Sequence, residues 1–383
     1  MVGPIEQHLI RSLANICFAG ATLGCMYMLL VSVLVLRFRR DPSPTARPSA
    51  PVTILKPLGG AEPRLFAQLA SFCNQNYAGP LQVVFGTHHR DDPAMEVVAR
   101  LKAAFPDKAL DCTCDSREHG SNRKVSNLIN MAPLARHEIL VVADSAIQVG
   151  PNYLAEVVSE LERPDVGAVT CLYHGIAGAG FWSRLSAIAI NTHFLPEVIV
   201  ALSFRIAQPC FSATIAMRRE TLHRIGGFSG FADYLAEDYW IGDAVRSAGY
   251  KVAIPSFSVG HVCADENFSS FLGHQMRFAR TIKSIDPIGY AGSIIAYPLP
   301  LALIAGLLGS NGSLELLAAV LACRALLCSM VTRVFRLAPQ AYWLVMIQDL
   351  ISFMIYIGSF FGKTVSWQGQ NYRVLKSGRL RAS

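Results

Sequence analysis

Hydrophobic positions along this 383-residue chain follow two regimes. Residues 13–36 form one uncharged apolar run. Three more come late: 288–314 is uncharged, 316–332 is interrupted only by Arg324, and 337–362 only by Asp349. A helix that crosses a bilayer needs about 20 such residues. Between these runs, residues 52–285 show short apolar stretches separated by Gly, Pro, Asn and charged positions. The pattern predicts an N-terminal transmembrane anchor over 1–40, a Pro-rich linker over 41–51 and a catalytic-sized soluble domain over 52–285. A C-terminal membrane block over 286–362 and a basic tail over 363–383 complete the layout.

Arg37, Arg39 and Arg40 follow the first run at once. A cleavable signal carries its positive charge before the run and a small-residue site after it. The reversed order reads as a retained anchor, with the following residues starting in the cytoplasm. Three further full spans would leave the tail outside, yet it carries Lys363, Arg373, Lys376, Arg379 and Arg381. Basic tails prefer the cytoplasm, and a mid-span Asp349 is costly in lipid. The third late stretch is therefore expected to be re-entrant or interfacial, returning the tail inside.

Within the soluble part, strands are predicted at 52–55, 81–85, 138–143, 166–172 and 213–217. Helical patterns lie between them at 62–73, 93–105, 124–134 and 152–161. This alternation predicts an α/β fold with a mostly parallel sheet covered on both faces. Ligands of such sheets sit beyond the carboxyl ends of the strands, where Asp91, Asp92 and Asp144 fall. Carboxylates there suit hydrogen bonding to a nucleoside or coordination of Mg²⁺ or Mn²⁺ with substrate phosphates. Asp92 precedes Pro93, so it also reads as a helix cap.

Three polar segments add chemistry. The loop 119–127, HGSNRKVSN, runs into a helix and combines a helix start with cations, an arrangement that holds anions. The segment 236–240, AEDYW, places two carboxylates at another helix start, one free to act as a base while the other caps or pairs. The basic segment 274–283 offers Arg277 and Arg280 to phosphates or lipid headgroups. Residues 181–204, with Trp182, Phe194, Leu195, Val198, Ile199 and Leu202, are apolar enough for a membrane interface or for plain core.

Composition sharpens this outline. Hydrophobic residues make up 52% and charged residues 16%, against about 25% charged in ordinary soluble domains, which excludes a disordered chain. The net charge of +7 is modest; it suits an anionic membrane surface, and no nucleic-acid partner is expected. Ten cysteines include no paired CxxC set, so no zinc site is expected. Cys112 and Cys114 read as structural, and a cytoplasmic domain keeps such thiols reduced.

Taken in order, these elements resemble the ceramide glucosyltransferase group, inverting glycosyltransferases that put a sugar on a membrane lipid. The resemblance rests on LKPL at 55–58, DDPA at 91–94, Asp144-Ser145, AEDY at 236–239 and HQMRF at 274–278, and it covers nearly the whole chain. HGSNRKVSNLINM (119–131), VTCLYHG (169–175), FSATIAMRRETL (211–222) and the element holding Trp240 look most like the bacterial branch that adds N-acetylglucosamine to bacteriohopanetetrol. Two departures stand out. Ala146 replaces the second Asp of a common Asp-Ser-Asp element, and the last element opens with His274 and ends in Phe278 where the pattern has Gln or Arg and Trp. Phe keeps a stacking face but lacks the indole N–H.

The resemblance implies a GT-A-type, Rossmann-like catalytic domain facing the cytoplasm from a bacterial inner membrane. It implies a UDP-sugar donor held by Lys56, Asp91, Asp92, Lys124, Asn127, Asp144 and Arg277, with Asp144 on a divalent Mg²⁺ or Mn²⁺. Asp238 is implied as the general base. His274, Phe278, Trp240, Ser212 and Thr214 are implied as acceptor contacts. The favoured reaction moves N-acetylglucosamine to a hopanoid; the alternative is a ceramide glucosyltransferase using UDP-glucose. Rivals are a processive polysaccharide synthase, which needs more spans, a polyprenyl-phosphate or soluble-sugar transferase, and an inactive scaffold that binds nucleotide sugar.

Overall fold

The computed structural model describes residues 4–38, 48–60, 62–362, 364–367, 370–374 and 379–382. Arg39 and Arg40, residues 41–47 of the linker, and Lys363 and Lys376 of the tail lie outside these described residues. The chain folds as two compact units. One comprises Met1–Arg39, Leu185–Ile206 and Asn267–Val365, and the other Arg40–Arg184, Ala207–Glu266 and Ser366–Ser383.

The second unit is built on strands β1 (Val52–Pro57), β2 (Leu81–Thr87), β3 (Ala109–Cys114), β4 (Ile139–Val142), β5 (Ile147–Gln148), β6 (Val166–Thr170), β7 (Leu172–Ala177), β8 (Ile215–Arg218), β9 (Lys251–Ala253) and β10 (Ser258–Cys263). Seven of them form one sheet in the order β3-β2-β1-β4-β8-β6-β9. β1, β2, β3 and β4 are parallel, whereas β8 runs antiparallel to both β4 and β6. A second sheet has the order β5-β10-β7. All six residues of β1 are buried, the pattern of a strand covered on both faces. Its side chains alternate: Val52 and Ile54 join one core with Val83, Phe85 and Val141, and Leu55 joins the other with Val84, Leu140 and Val142. Each such buried aliphatic side chain stabilises the fold by about 1.5–3 kcal/mol.

The predicted strands and helices of this unit form, with three differences. The run 166–172 bends at fully buried Cys171, and its halves join different sheets as β6 and β7. β3, β9 and β10 lack a clean apolar run; β3 is a part-exposed edge strand carrying Asp111 and Thr113. The direction of β8 is set by its neighbours and has no trace in its own residues.

Chain order makes the site. From β1 the chain builds outward through β2 and β3, then crosses back to place β4 on the other side of β1. The strand order therefore reverses at β1/β4, and it is at such a reversal that sheets of this class open a crevice between the diverging loops. Because β8 is antiparallel, its start lies beside the end of β4, and Asp144 N donates to Ser212 O at 3.3 Å.

The first unit is helical. Among the described residues, four helices are long and apolar enough to cross a membrane: Ile5–Arg37, Phe181–Ser203, Ser313–Phe335 and Tyr342–Ser359. The pair Pro287–Ala296 and Pro298–Leu307 meets the same test jointly but is bent by 63°. The stretch 288–314 is thus broken where a single span was expected. Pro298 lacks an N–H and opens a new helix there. The stretch 337–362, expected to be re-entrant or interfacial because of the basic tail and Asp349, carries one unbroken helix, Tyr342–Ser359, that is long and apolar enough to cross a membrane. The 181–204 stretch, expected at an interface or in core, is helical with a π-turn at Ile190–Phe194.

Asp349 is tolerated because it is fully paired. Its Oδ2 accepts from Arg324 Nε at 2.7 Å and its Oδ1 is 2.8 Å from His193 Nε2, with Asp349 and Arg324 both buried. Arg324 also donates to Thr192 O at 3.3 Å, in the π-turn, and to Ala296 O at 3.2 Å, at the break before Pro298. One guanidinium thus satisfies carbonyls at the two places where apolar helices lose their regular bonding. Removing one member of a buried pair strands the other charge. Asp349→Ala and Arg324→Met are each expected to destabilise the protein by about 3–5 kcal/mol, and the double variant by less than the sum. Thermal unfolding of detergent-solubilised protein measures this.

Candidate active site

The crevice at β1/β4 collects most of the predicted residues of this unit. The helix Arg123–Met131 begins with Asn122 as its cap, whose side chain accepts from Val125 N at 3.1 Å. Such a cap is worth about 1 kcal/mol. The same Asn122 donates to Tyr234 O at 2.8 Å and to Glu237 Oε2 at 3.1 Å. Gly120 permits this approach, since a Cβ there would meet the Ala232 backbone. The loop 119–122 is thereby fixed to the start of the helix Glu237–Ser247.

Lys124 lies between two carboxylates with 16% of its side chain exposed. Its ammonium pairs with Asp144 Oδ1 and lies 2.8 Å from Glu237 Oε1. A cation near a helix N-terminus opposes the helix dipole. Burial also works against its charge, but the two carboxylates more than offset this and hold its pKa above the ordinary lysine value. Asp144 remains about one-third exposed, at 34% of its side chain.

Asp238 sits beside this pair. Its Oδ2 accepts from Ser212 N and Ser212 Oγ, both at 3.0 Å, and its Oδ1 from Tyr239 N at 2.8 Å. Ser212 Oγ also lies 3.3 Å from Glu237 Oε1. Burial first, and then the neighbouring Glu237 charge, push the Asp238 carboxyl up to about 6, against the pull of Lys124 and the two backbone N–H donors. A carboxylate poised near neutrality and held by three fixed donors is suited to accept a proton.

Lys56 is fully buried. Its ammonium donates to Asp144 O and lies 4.0 Å from the centre of the Phe72 ring. Burial pushes its pKa down to about 7, against the pull of Asp144 and Glu62. Asp92 accepts from Gly60 N at 3.0 and 3.1 Å and from Ala94 N at 2.9 Å, so it caps the helix Ala94–Ala104 and fixes the loop after β1. Asp91 is exposed. Asn127 Nδ2 donates to Gly86 O at 2.8 Å; a Cβ on Gly86 would strike Asn127 Oδ1 and Met131 Sδ, which is why β2 carries glycine there. Thr214 is fully buried, its hydroxyl 3.0 Å from Tyr153 OH. Trp240 packs against Tyr234 and Tyr239, with ring centres 5.1 and 5.4 Å away, and its buried indole N–H has no acceptor among the described residues. His274, Arg277 and Phe278 lie on the helix Phe268–Ile285 of the other unit.

Glu62 was not foreseen as a site residue. Its Oε1 accepts from Ser145 Oγ at 2.6 Å, linking the loop after β1 to the turn after β4, and burial raises its pKa. The sequence signal was a carboxylate five residues past the end of a buried strand, beyond the strand-end positions searched.

Two lysines, Lys56 and Lys124, here face four carboxylates, Glu62, Asp144, Glu237 and Asp238. A diphosphate would add negative charge to a cluster already in carboxylate excess, so the residue set fits a bound dication. Among the described residues no group of three His, Cys, Asp or Glu forms a closed metal cage. Mg²⁺ does not need one, since it is commonly bound by one or two carboxylates plus substrate phosphates.

The chain resembles known proteins over almost its whole length. A ceramide glucosyltransferase 1 of Caenorhabditis elegans is 24% identical over 370 residues, covering 92% of this chain and 77% of that protein. A second enzyme of that organism, ceramide glucosyltransferase 3, is 24% identical over 67% of this chain and 56% of its own length. A ceramide glucosyltransferase of Gibberella zeae is 28% identical over 41% of this chain and 34% of its own length. A mannosyltransferase from Pyrobaculum calidifontis, solved with GDP-Man and Mn²⁺, superposes with a TM-score of 0.52 at 22% identity, over 91% of this chain and 99% of that one, which places the fold among glycosyltransferases of GT-A type. Residues 16–380 match the family described as glycosyl transferase family 21, so the chain belongs to that family and is a glycosyltransferase.

Proposed function

We propose that the protein transfers a sugar from a UDP-sugar to the hydroxyl of a membrane lipid with inversion at the anomeric carbon. The observation that carries this reading is the Asp238 carboxylate, raised to about 6 and fixed by Ser212 beside the Lys124–Asp144 pair. A base near neutral pKa beside a lysine–carboxylate pair at the strand ends is what inverting transfer requires. Apolar helices within the same chain give the lipid acceptor a place to reside.

Asp238 would take the proton from the acceptor hydroxyl as its oxygen attacks the anomeric carbon. Attack opposite the leaving diphosphate turns an α-linked donor into a β-glycoside. Ser212 holds Oδ2 through two donors, which keeps the base in one orientation. Lys124 faces the crevice from a helix start and would lie near the departing diphosphate. Asp144, with Glu237 beside it, would hold Mg²⁺ or Mn²⁺, whose charge offsets the negative charge that grows on the leaving group.

For the sugar and the lipid, the ceramide glucosyltransferases that match this chain support glucose and ceramide. The reading of N-acetylglucosamine and a hopanoid in a bacterial inner membrane rests on the four stretches at 119–131, 169–175, 211–222 and around Trp240. Membranes containing the protein, offered UDP-glucose and UDP-N-acetylglucosamine separately with ceramide or bacteriohopanetetrol, separate the two by the mass of the lipid product. No lipid-linked sugar in any arm rejects the reaction proposed.

Three outcomes follow from the site. Asp238→Asn should lower turnover by about 10²–10⁴-fold while UDP binding is retained, as read by single-turnover kinetics and calorimetry. The base must be ionised, so kcat/KM should fall about tenfold per pH unit below about 6 and level off above it, a limb set by the Asp238 pKa. Chelation of divalent metal should abolish transfer, and Asp144→Ala should raise the Mn²⁺ concentration that restores half-maximal UDP binding. An Asp144→Ala titration that overlays the wild type removes the metal role.

A further inference from the structure

We infer that the C-terminal tail completes the active site: Tyr372 and Arg379 are positioning residues that clamp the loop 119–122 onto the segment 232–236 and so hold the helix that carries Asp238. The inference deepens the function proposed above and rests on it.

The first observation is where the tail goes. After the last apolar helix, the described residues form strands β11 (Thr364–Trp367), β12 (Gln370–Val374) and β13 (Leu380–Ala382), which make a sheet in that order. β12 and β13 are antiparallel, with Tyr372 opposite Ala382. Residues 267–365 belong to the helical unit, yet from Ser366 onward the chain belongs to the catalytic unit. Chain ends are ordered only where something ties them down. Here the loops of the active site do so. Tyr372 is buried, and its hydroxyl lies 3.5 Å from Ser121 O. Arg379 forms an antiparallel bridge with Tyr234, and its guanidinium lies 5.3 Å from the centre of the Tyr234 ring.

The second observation is what those two partners do. Ser121 and Tyr234 stand on opposite sides of one seam. Across it Asn122 N donates to Ala232 O at 2.7 Å, Ser121 N to Asp233 Oδ1 at 2.9 Å and Asn122 Nδ2 to Tyr234 O at 2.8 Å. The seam sets Lys124 against Glu237, the residue before Asp238. The tail touches a residue from each side, so it spans the seam.

The third observation is a line of contacts to the base. The Tyr234 ring packs on Trp240 with ring centres 5.1 Å apart, and Trp240 follows Asp238 by two residues on the helix Glu237–Ser247. Arg379, Tyr234 and Trp240 thus connect the tail to the start of that helix. A misplacement of about 1 Å at a reacting group is enough to slow a reaction strongly. Arg379 is exposed, and a cation over an aromatic ring at such a site adds little to the stability of a whole unit. Loss of the clamp should therefore cost turnover while the fold is kept.

The test uses the full-length protein in detergent with Mn²⁺ present. Turnover is read with whichever pair, UDP-glucose and ceramide or UDP-N-acetylglucosamine and bacteriohopanetetrol, gives product in the wild type. UDP affinity and thermal unfolding are measured on the same samples. Arg379→Ala is expected to lower kcat roughly tenfold or more with UDP affinity and the unfolding midpoint retained. Arg379→Lys, which keeps a cation for the ring, should restore most of the loss. Tyr372→Phe, which removes only the hydroxyl, should lower kcat in the same direction by less. Tyr234→Leu should lower kcat as Arg379→Ala does, and the double variant should be no slower than Tyr234→Leu alone. Wild-type kcat in Arg379→Ala, a loss that follows a fall in the unfolding midpoint, no rescue by lysine, or losses that simply add in the double variant each overturn the clamp and leave the proposed transfer standing. A wild-type protein that binds UDP but gives no lipid-linked sugar with either pair overturns the transfer itself, and this inference with it.

Discussion

Lys124 is the interaction on which the site depends. Its ammonium joins Asp144, at the end of a sheet strand, to Glu237, at the start of a helix. These two carboxylates come from segments nearly a hundred positions apart in the chain, and each would be repelled by the other. A half-buried cation between them removes that repulsion and sets their spacing. Asp238 follows in sequence from Glu237, so its position is fixed by the same contact. The raised Asp238 pKa comes first from burial and then from the neighbouring Glu237 charge, which the pull of Lys124 only partly offsets. One ion pair thus separates the roles of three acids, leaving Asp144 accessible, Glu237 buried and paired, and Asp238 basic enough to accept a proton.

The helical unit applies the same device in an apolar setting. Arg324 is surrounded by groups that apolar helices would otherwise leave unsatisfied: the Asp349 carboxylate, a carbonyl in a π-turn and a carbonyl before a proline break. Each of these alone would be costly in lipid. Together they form a closed set of hydrogen bonds, with His193 on the far oxygen of Asp349 and the Tyr297 ring stacked on His193 at 5.4 Å. A charge in the middle of a hydrophobic stretch is therefore a poor guide to whether the stretch is an unbroken helix. What decides is whether a partner arrives from another segment.

Much of the catalytic unit could be read in the chain. The runs that became β1, β2 and β4 are continuous and apolar because both of their faces are covered, and helical periodicity between them was clear. Asp144 and the Glu237-Asp238 pair were found because they follow or open such elements. Two features escaped. β3 is an edge strand without an apolar run, and Glu62 sits past the strand end where carboxylates were sought. Asp92, read as a helix cap, also takes Gly60 N from the loop after β1. In each case the deciding contact lies between distant segments and leaves no local periodicity.

The sequence by itself determined that this is a membrane-associated α/β protein with acidic strand ends, because burial periodicity and the strand-end rule act over a few neighbouring residues. Its family resemblance was legible for the same reason, carried by short motifs in a fixed order. Only the tertiary structure decided which acid pairs with which lysine, that β8 runs antiparallel and so brings Ser212 to Asp238, and that Asp349 meets Arg324. Those are contacts between distant segments. They depend on strand direction and on helix breaks, which the pattern of apolar and polar positions does not encode.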